Sequence, residues 1–401
     1  MLKERFPLFK KHPELVYLDS AATKLKPASV IAAQTEYLEA SSTNIARGLY
    51  PLAEGTTARV DAVRKAAADF IGSDPEEIIF TSGTTAGLNM AAYMLENFIT
   101  LEGNVVATDL EHHSNYLPWK ELAKRSSAEF RLAASTSTGA LDEESFEGVL
   151  DEHTELVALT AVSNVSGIIN DIPSLVRFIR KRAPHAIIII DAAQRAAHLP
   201  IDVREWDADM IAFSGHKMYG PTGIGILYGK KSLLDTLPPA VFGGGMVSDA
   251  YAEETVYREV PARFEAGTPD IAAIFGLGEA FRFLEEIGFE KIREHDLALQ
   301  AHALSELRKV FGEDIQIIGS GKPEDYAGIL SFTFGSLHPH DIAQLLGEKN
   351  VAVRAGEHCA APFHRVKRLA ATTRISFGIY NEKSDIDRLV AALKEVTRIL
   401  S

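Results

Sequence analysis

Two side chains 26 positions apart carry the most distinctive chemistry of the chain. The apolar run Met210 to Phe213 leads into Ser214-Gly215-His216-Lys217. A Gly/Pro-rich turn then separates it from a second apolar run, Ile224 to Tyr228, so Lys217 is expected in a loop at a strand end. An amine held between buried strands is disfavoured as an ammonium ion, which is the condition a Schiff-base lysine needs. A lysine alone in a loop would ordinarily reach solvent. Upstream, however, Ala186-Ile-Ile-Ile-Ile-Asp191-Ala-Ala-Gln194 is a β-branched run that ends in a carboxylate. Four consecutive isoleucines suit a parallel strand buried on both faces, which sets Asp191 at its carboxyl end, where open α/β sheets collect ligands. By itself Asp191 would read as a helix cap. With Lys217 at the next strand end, the reading shifts to a carboxylate facing a protonated ring nitrogen, the pairing that pyridoxal phosphate imposes.

The elements that must position these residues alternate between strand and helix. Glu77-Ile-Ile-Phe80 runs into Thr81-Ser-Gly83-Thr84-Thr85-Ala-Gly87, a strand, turn and helix start whose free N–H groups and hydroxyls suit a phosphate. Asn104–Thr108 precedes Glu111-His112-His113-Ser-Asn115, and Leu156–Val162 precedes Ser163-Asn164-Val-Ser-Gly167. This alternation implies a mainly parallel sheet with helices on both faces, its polar clusters converging on one crevice. A short strand ends at Val16-Tyr-Leu-Asp19, and a helix is expected over Thr57–Ile71, closed by Gly72. Beyond Ile271 the pattern changes to longer amphipathic helices with shorter strands, Gly328–Phe334 and Val351–Arg354, as in a smaller α+β domain. The last helix is expected behind a Ser384 cap, with Asp387 at its third position.

The chain has 401 residues, 46% hydrophobic and 24% charged, with no apolar run of membrane-spanning length and no signal or transit pattern at Met1-Leu-Lys-Glu-Arg-Phe. A cytoplasmic enzyme that spans no membrane is expected. The net charge of −14 argues against nucleic acid as a partner. A single cysteine excludes an intrachain disulfide and a Cys-rich metal site, so Cys359 is either a core filler or a nucleophile.

Three motifs weigh towards the nucleophile. Ser-Gly-His-Lys-Met-Tyr-Gly-Pro-Thr-Gly at 214–223, Arg-Phe-Glu-Ala-Gly-Thr-Pro at 263–269 and Arg354-Ala-Gly-Glu-His-Cys359-Ala resemble the group II, SufS-like cysteine desulfurases, which include selenocysteine lyases. The likeness runs in order over nearly the whole chain. It implies a fold-type I pyridoxal phosphate transferase of the class-V aminotransferase group. That architecture has a large α/β domain with a mainly parallel seven-stranded sheet and a smaller α+β domain that carries the cysteine loop. The expected division is an N-terminal arm over 1–18, a large domain over 19–275 and a small domain over 276–401.

Carried over by position, the resemblance makes Lys217 the Schiff-base lysine and Asp191 the partner of the ring nitrogen. Gln194 would bond the phenolic oxygen, and His112 would stack on the ring and aid proton transfer. Thr84, Thr85, Ser214 and His216 would hold the phosphate, with Thr268 supplied by the other subunit of a homodimer. Ala21, Asn164, Arg354 and Arg374 would bind substrate, Arg374 taking its carboxylate through a guanidinium fork. Cys359, five residues after Arg354 and fifteen before Arg374, would attack the sulfur of L-cysteine or L-selenocysteine, leaving a persulfide and alanine. A sulfur-acceptor scaffold protein is implied, in iron–sulfur cluster assembly. In relatives whose acceptor carries zinc, a histidine at the place of His340 joins the partner's zinc.

The chain departs from that branch at Ala46, where a histidine is frequent; at Asp270, where asparagine is usual; and at Glu357, which sets a negative charge two residues from the thiol and opposes thiolate formation. Two other readings compete. An epimerase, lyase or aminotransferase of the same fold would keep Lys217, Asp191 and Arg374 but need no thiol. A metal-binding scaffold would use His338, His340, His358, Cys359 and His364.

Overall fold

The computed structural model describes residues 2–400. Its centre is a seven-stranded sheet of β2 (Ile78–Thr81), β3 (Asn104–Thr108), β4 (Glu129–Ala133), β5 (Thr154–Thr160), β6 (Ile187–Asp191), β7 (Met210–Ser214) and β8 (Gly225–Gly229), preceded in the chain by a short β1 (Val16–Tyr17). The spatial order is β2-β8-β7-β6-β5-β3-β4. Neighbours are parallel except around β8, which runs antiparallel to both β2 and β7. The cause is chain length. Only residues 215–224 join β7 to β8, too few for the crossover a parallel return requires.

β6 bears out the run of isoleucines. Ile188 and Ile190 enter the core on one face of the sheet and Ile189 the core on the other, all fully buried. A strand so enclosed cannot slip in register, so Asp191 is fixed at its carboxyl end. The helix Thr84–Met94 follows β2 by way of Gly83, whose φ of +143° is rare for any other residue.

After an exposed hairpin of β9 (Val247–Ala250) and β10 (Thr255–Tyr257), the chain enters the helix Ile271–Ile287, which packs on the helices Ala28–Ala40 and Pro51–Ile71. A second core then forms around an antiparallel sheet of β11 (Ile315–Ile318), β12 (Ile329–Phe334), β14 (Arg354–Gly356) and β15 (Thr372–Ser376), in the order β11-β12-β15-β14. β13 (Val351–Ala352) pairs in parallel with β1, and Asp19 bridges Ser376, so the N-terminal segment is tied to this second sheet. In β14 and β15, Arg354 and Arg374 are direct cross-strand partners.

Two helix starts differ from expectation. The helix expected at Thr57 begins at Pro51, since proline fits the first helical position and the exposed stretch Glu54-Gly55 hides the apolar period. The last helix begins at Lys383 instead of behind Ser384; the Asp385 carboxylate reaches back to the Glu382 N–H (3.1 Å). The helix Pro339–Glu348 is capped by His338, so His340 and Asp341 lie within its first turn. Among the described residues no helix is long and apolar enough to cross a membrane.

Candidate active site

A cavity of about 480 Å³ opens where the carboxyl ends of β3, β6 and β7 face β14 and β15. It is lined by Ala21, Thr84, Thr85, His112, Asn164, Asp191, Gln194, Ser214, His216, Lys217, Arg354, Cys359 and Arg374, every predicted site residue except Thr268 and His340. Those two are exposed elsewhere: Thr268 accepts a hydrogen bond from Asn44 Nδ2 (3.3 Å), and the His340 ring stacks on His338 at 5.1 Å. A larger cavity, about 750 Å³, lies between the helices Pro51–Ile71 and Ile271–Ile287, but no lysine, histidine or cysteine lines it.

At the floor, Asp191 is buried and accepts one hydrogen bond, from the Ala193 N–H (2.8 Å). Burial raises its pKa, and the charge of Lys217 opposes that. Lys217 sits in the single turn Gly215–Lys217 behind β7. Burial lowers its pKa, Asp191 opposes the shift and the Arg374 guanidinium reinforces it. The His112 ring is pushed down to about 3 by burial, then by Lys217, and so is neutral at physiological pH; its Nδ1 lies 3.0 Å from Ser114 Oγ.

The anion corner is built at the start of the helix Thr84–Met94. Ser214 Oγ accepts from the Thr84 N–H (2.8 Å) and meets Thr84 Oγ1 at 2.6 Å, while Thr85 Oγ1 meets Ser114 Oγ at 2.7 Å. The N–H groups of Thr85 and Ala86 have no protein acceptor among the described residues. Burial, followed by Lys217, pushes the nearby His216 ring down to about 4.

The opposite wall carries the arginines. Arg374 is 3% exposed; its Nη1 donates to the Asn164 carbonyl (2.9 Å), and its buried Nε has no partner, like Asn164 Oδ1 beside it. Burial lowers the Arg374 pKa to about 10, with Asp19 opposing. Asp19 also holds Arg354 through a two-bonded fork (3.0 and 2.7 Å). Sequence reasoning reached Asp19 only as a strand end; the sole signal was a carboxylate beside small residues. Gln194 Nε2 donates to the Ala21 carbonyl (2.9 Å).

Cys359 is exposed on the loop after β14, and its neighbour His358 is buried with Nε2 2.9 Å from Thr372 Oγ1. Burial, then Arg374, drives the His358 ring down to about 2. Of the three departures, Asp270 has a structural account: its carboxylate caps the helix Ile271–Ile287 through the Ala273 N–H (2.9 Å), as asparagine would. Ala46 stands exposed at φ +72° with its N–H on Thr57 Oγ1 (3.0 Å), and the exposed Glu357 takes the Ala360 N–H on its carbonyl (2.9 Å). Among the described residues no group of three or more His, Cys, Asp or Glu side chains is placed to hold a metal ion.

The donor set matches pyridoxal phosphate. A buried carboxylate with room for a ring N–H, an amine held off its charge, and hydroxyls with free N–H groups at a helix start are what its three polar ends require. Fold and cavity together define a fold-type I pyridoxal phosphate enzyme. The chain belongs to the class-V aminotransferase family, whose sequence profile matches residues 16–389. Among similar proteins, a probable cysteine desulfurase of Streptomyces coelicolor is 40% identical, over 98% of this chain and 96% of that protein. One of Halalkalibacterium halodurans is also 40% identical, over 98% and 97%. Among solved structures, the apo cysteine desulfurase of Thermococcus onnurineus superposes with a TM-score of 0.94 at 34% identity, covering 99% of this chain and 98% of that one. The cysteine desulfurase CsdA of Escherichia coli gives 0.91 at 32%, covering 100% and 98%.

Proposed function

We propose that this chain is a cysteine desulfurase, which converts L-cysteine to L-alanine and carries the sulfur away as a persulfide on Cys359. The observation that carries the reading is that one cavity holds both an amine at a buried strand end, Lys217, and an exposed thiol on the facing loop, Cys359. An epimerase or aminotransferase has no use for that thiol, and the similar proteins bear the desulfurase name.

In this reading Lys217 holds the cofactor's aldehyde, Asp191 its ring nitrogen and Gln194 its phenolic oxygen, with His112 against the ring. Thr84, Thr85, Ser214 and His216 hold the phosphate, joined by Thr268 of the partner subunit in a homodimer. When bound, pyridoxal phosphate supplies the electron sink that makes the substrate α-proton removable. Arg374 takes the substrate carboxylate through its guanidinium fork, with Arg354, Asn164 and Ala21 around it. The Lys217 amine then moves the α-proton. The Cys359 thiolate attacks the substrate sulfur: an S–S bond forms, the substrate C–S bond breaks, and the carbon takes up a proton to become the methyl group of alanine. Thiol and cysteine in, persulfide and alanine out, so the atoms balance without an external oxidant.

The three-part division, an arm over 1–18, a large domain over 19–275 and a small domain over 276–401, is kept as part of this reading. So is a cytoplasmic setting, in which a lone thiol stays reduced, and transfer of sulfur to an acceptor for iron–sulfur assembly. The exposed His340 would contact that acceptor's zinc. The test is to load the protein with pyridoxal phosphate and incubate it with cysteine, and separately with selenocysteine, measuring alanine and protein-bound persulfide. Alanine with matching persulfide supports the reading. A yellow protein that makes neither, yet exchanges amino groups with a keto acid, overturns it in favour of an aminotransferase.

A further inference from the structure

The loop that carries the thiol is held in a conformation its residues do not favour. His358 and Cys359 have φ values of +51° and +56°, the left-handed region that side-chain-bearing residues rarely adopt, and here two do so in succession. Something must hold them there. Asn164 Nδ2 donates to the His358 carbonyl (2.7 Å), and the His358 ring leans on Thr372. Beside the turn's own Ala360 N–H to Glu357 carbonyl bond (2.9 Å), two further bonds come from a single residue of the opposite wall, His113.

His113 opens the helix His113–Ser126, so its N–H has no carbonyl one turn back; it donates instead to the Cys359 carbonyl (2.7 Å). Its ring Nε2 accepts from the N–H of Ala361 (3.1 Å), the first residue of the helix Ala361–Val366, whose own donor would otherwise be unpaired. One residue thus grips the chain at Cys359 and again two positions later. The ring contact needs a lone pair on Nε2, which a neutral imidazole with its proton on Nδ1 supplies.

We infer that His113 is the positioning residue of the sulfur-accepting step, holding the Cys359 loop across the mouth of the cavity; the inference rests on the desulfurase reading. This task is distinct from that of the adjacent His112, which faces the cofactor side. A glutamine carbonyl reaches about as far as Nε2 and should replace it. Leucine offers no acceptor, and asparagine falls one bond short.

The test uses pyridoxal-phosphate-loaded enzyme with His113→Leu, His113→Asn and His113→Gln. Three quantities are measured: the visible spectral change on mixing with cysteine, single-turnover persulfide on Cys359, and hydrogen exchange of a peptide covering 358–366. In His113→Leu the spectral change should keep its wild-type rate while persulfide formation slows about 10- to 100-fold, as a displaced nucleophile implies. Exchange in the peptide should rise about fivefold, as the loss of one hydrogen bond implies. His113→Gln should restore most of both, and His113→Asn should behave as the leucine variant does, serving in its place if that one does not fold. Wild-type persulfide rates in the leucine and asparagine variants, or a loss that glutamine does not repair, would overturn the inference. Wild-type enzyme that forms no persulfide would instead sink the desulfurase reading, while the exchange measurement still decides whether His113 holds the loop.

Discussion

Lys217 and Cys359 line the same cavity but stand on opposite kinds of ground. Lys217 closes the first turn after a strand whose every residue is buried, and Asp191 is the last residue of the strand beside it, in register with Ala212. Cys359 is exposed, in left-handed backbone, on a loop held by side chains from distant parts of the chain. The contrast separates two duties. Proton transfer at a fixed carbon asks for an amine that does not move and is easily neutral. Sulfur transfer asks for a thiol that meets a substrate inside and an acceptor outside, so it belongs on an accessible loop whose position is set by a few replaceable bonds.

Breaking the rigid side should have the largest effect. Lys217→Ala should lower alanine formation from cysteine by about 10³-fold or more, the loss expected when a positioned base is removed, and borohydride should fix no cofactor at that position; steady-state rates and peptide mapping check both. Retention of more than a few per cent of activity would place the base elsewhere.

Next in size is the pH response of the loop side. His358 is buried as a neutral ring with its pKa down at about 2, whereas the unfolded chain binds a proton there near pH 6.5. Below that pH the unfolded state holds more protons than the native state, so stability falls as pH falls. At pH 5 the contribution is about 2 kcal/mol. Denaturant melts at pH 7 and pH 5 should show this loss on top of those from the His112 and His216 rings, which burial also holds low, and His358→Gln should make the total smaller by about 2 kcal/mol. An equal slope in the variant would mean that the ring takes up its proton while folded.

The smallest effect sharpens the comparison by lying away from both residues. Asp270→Ala removes a helix cap and should cost about 1 kcal/mol in thermal or denaturant unfolding, while Asp270→Asn should cost only a few tenths.

The rigid side was the more legible of the two in the sequence. Isoleucines running into Asp191, and an apolar strand running into Lys217, are local patterns, and local patterns fix where a strand ends. The direction of β8 was not read, because it depends on the length of a connection and not on the composition of the strand. On the loop side the motif around Cys359 was readable, but what holds it was not. His113 reaches Ala361 across 248 positions, and Asp19 reaches Arg354 across 335. Neither residue carries a periodicity or spacing that points to its partner. Asp270 looked like a departure with consequences and proved to be a helix cap, a role that aspartate and asparagine share.

The division of labour between amine and thiol is tested most directly by one comparison. Wild-type protein and Cys359→Ser, both loaded with pyridoxal phosphate, are mixed with cysteine, and alanine and the mass of the peptide containing residue 359 are followed in the same samples. The account predicts that the serine variant keeps its visible band and its spectral response to cysteine, gains no sulfur on the peptide, and makes alanine at least about 100-fold more slowly, as for a lost nucleophile. Undiminished alanine from Cys359→Ser would contradict it.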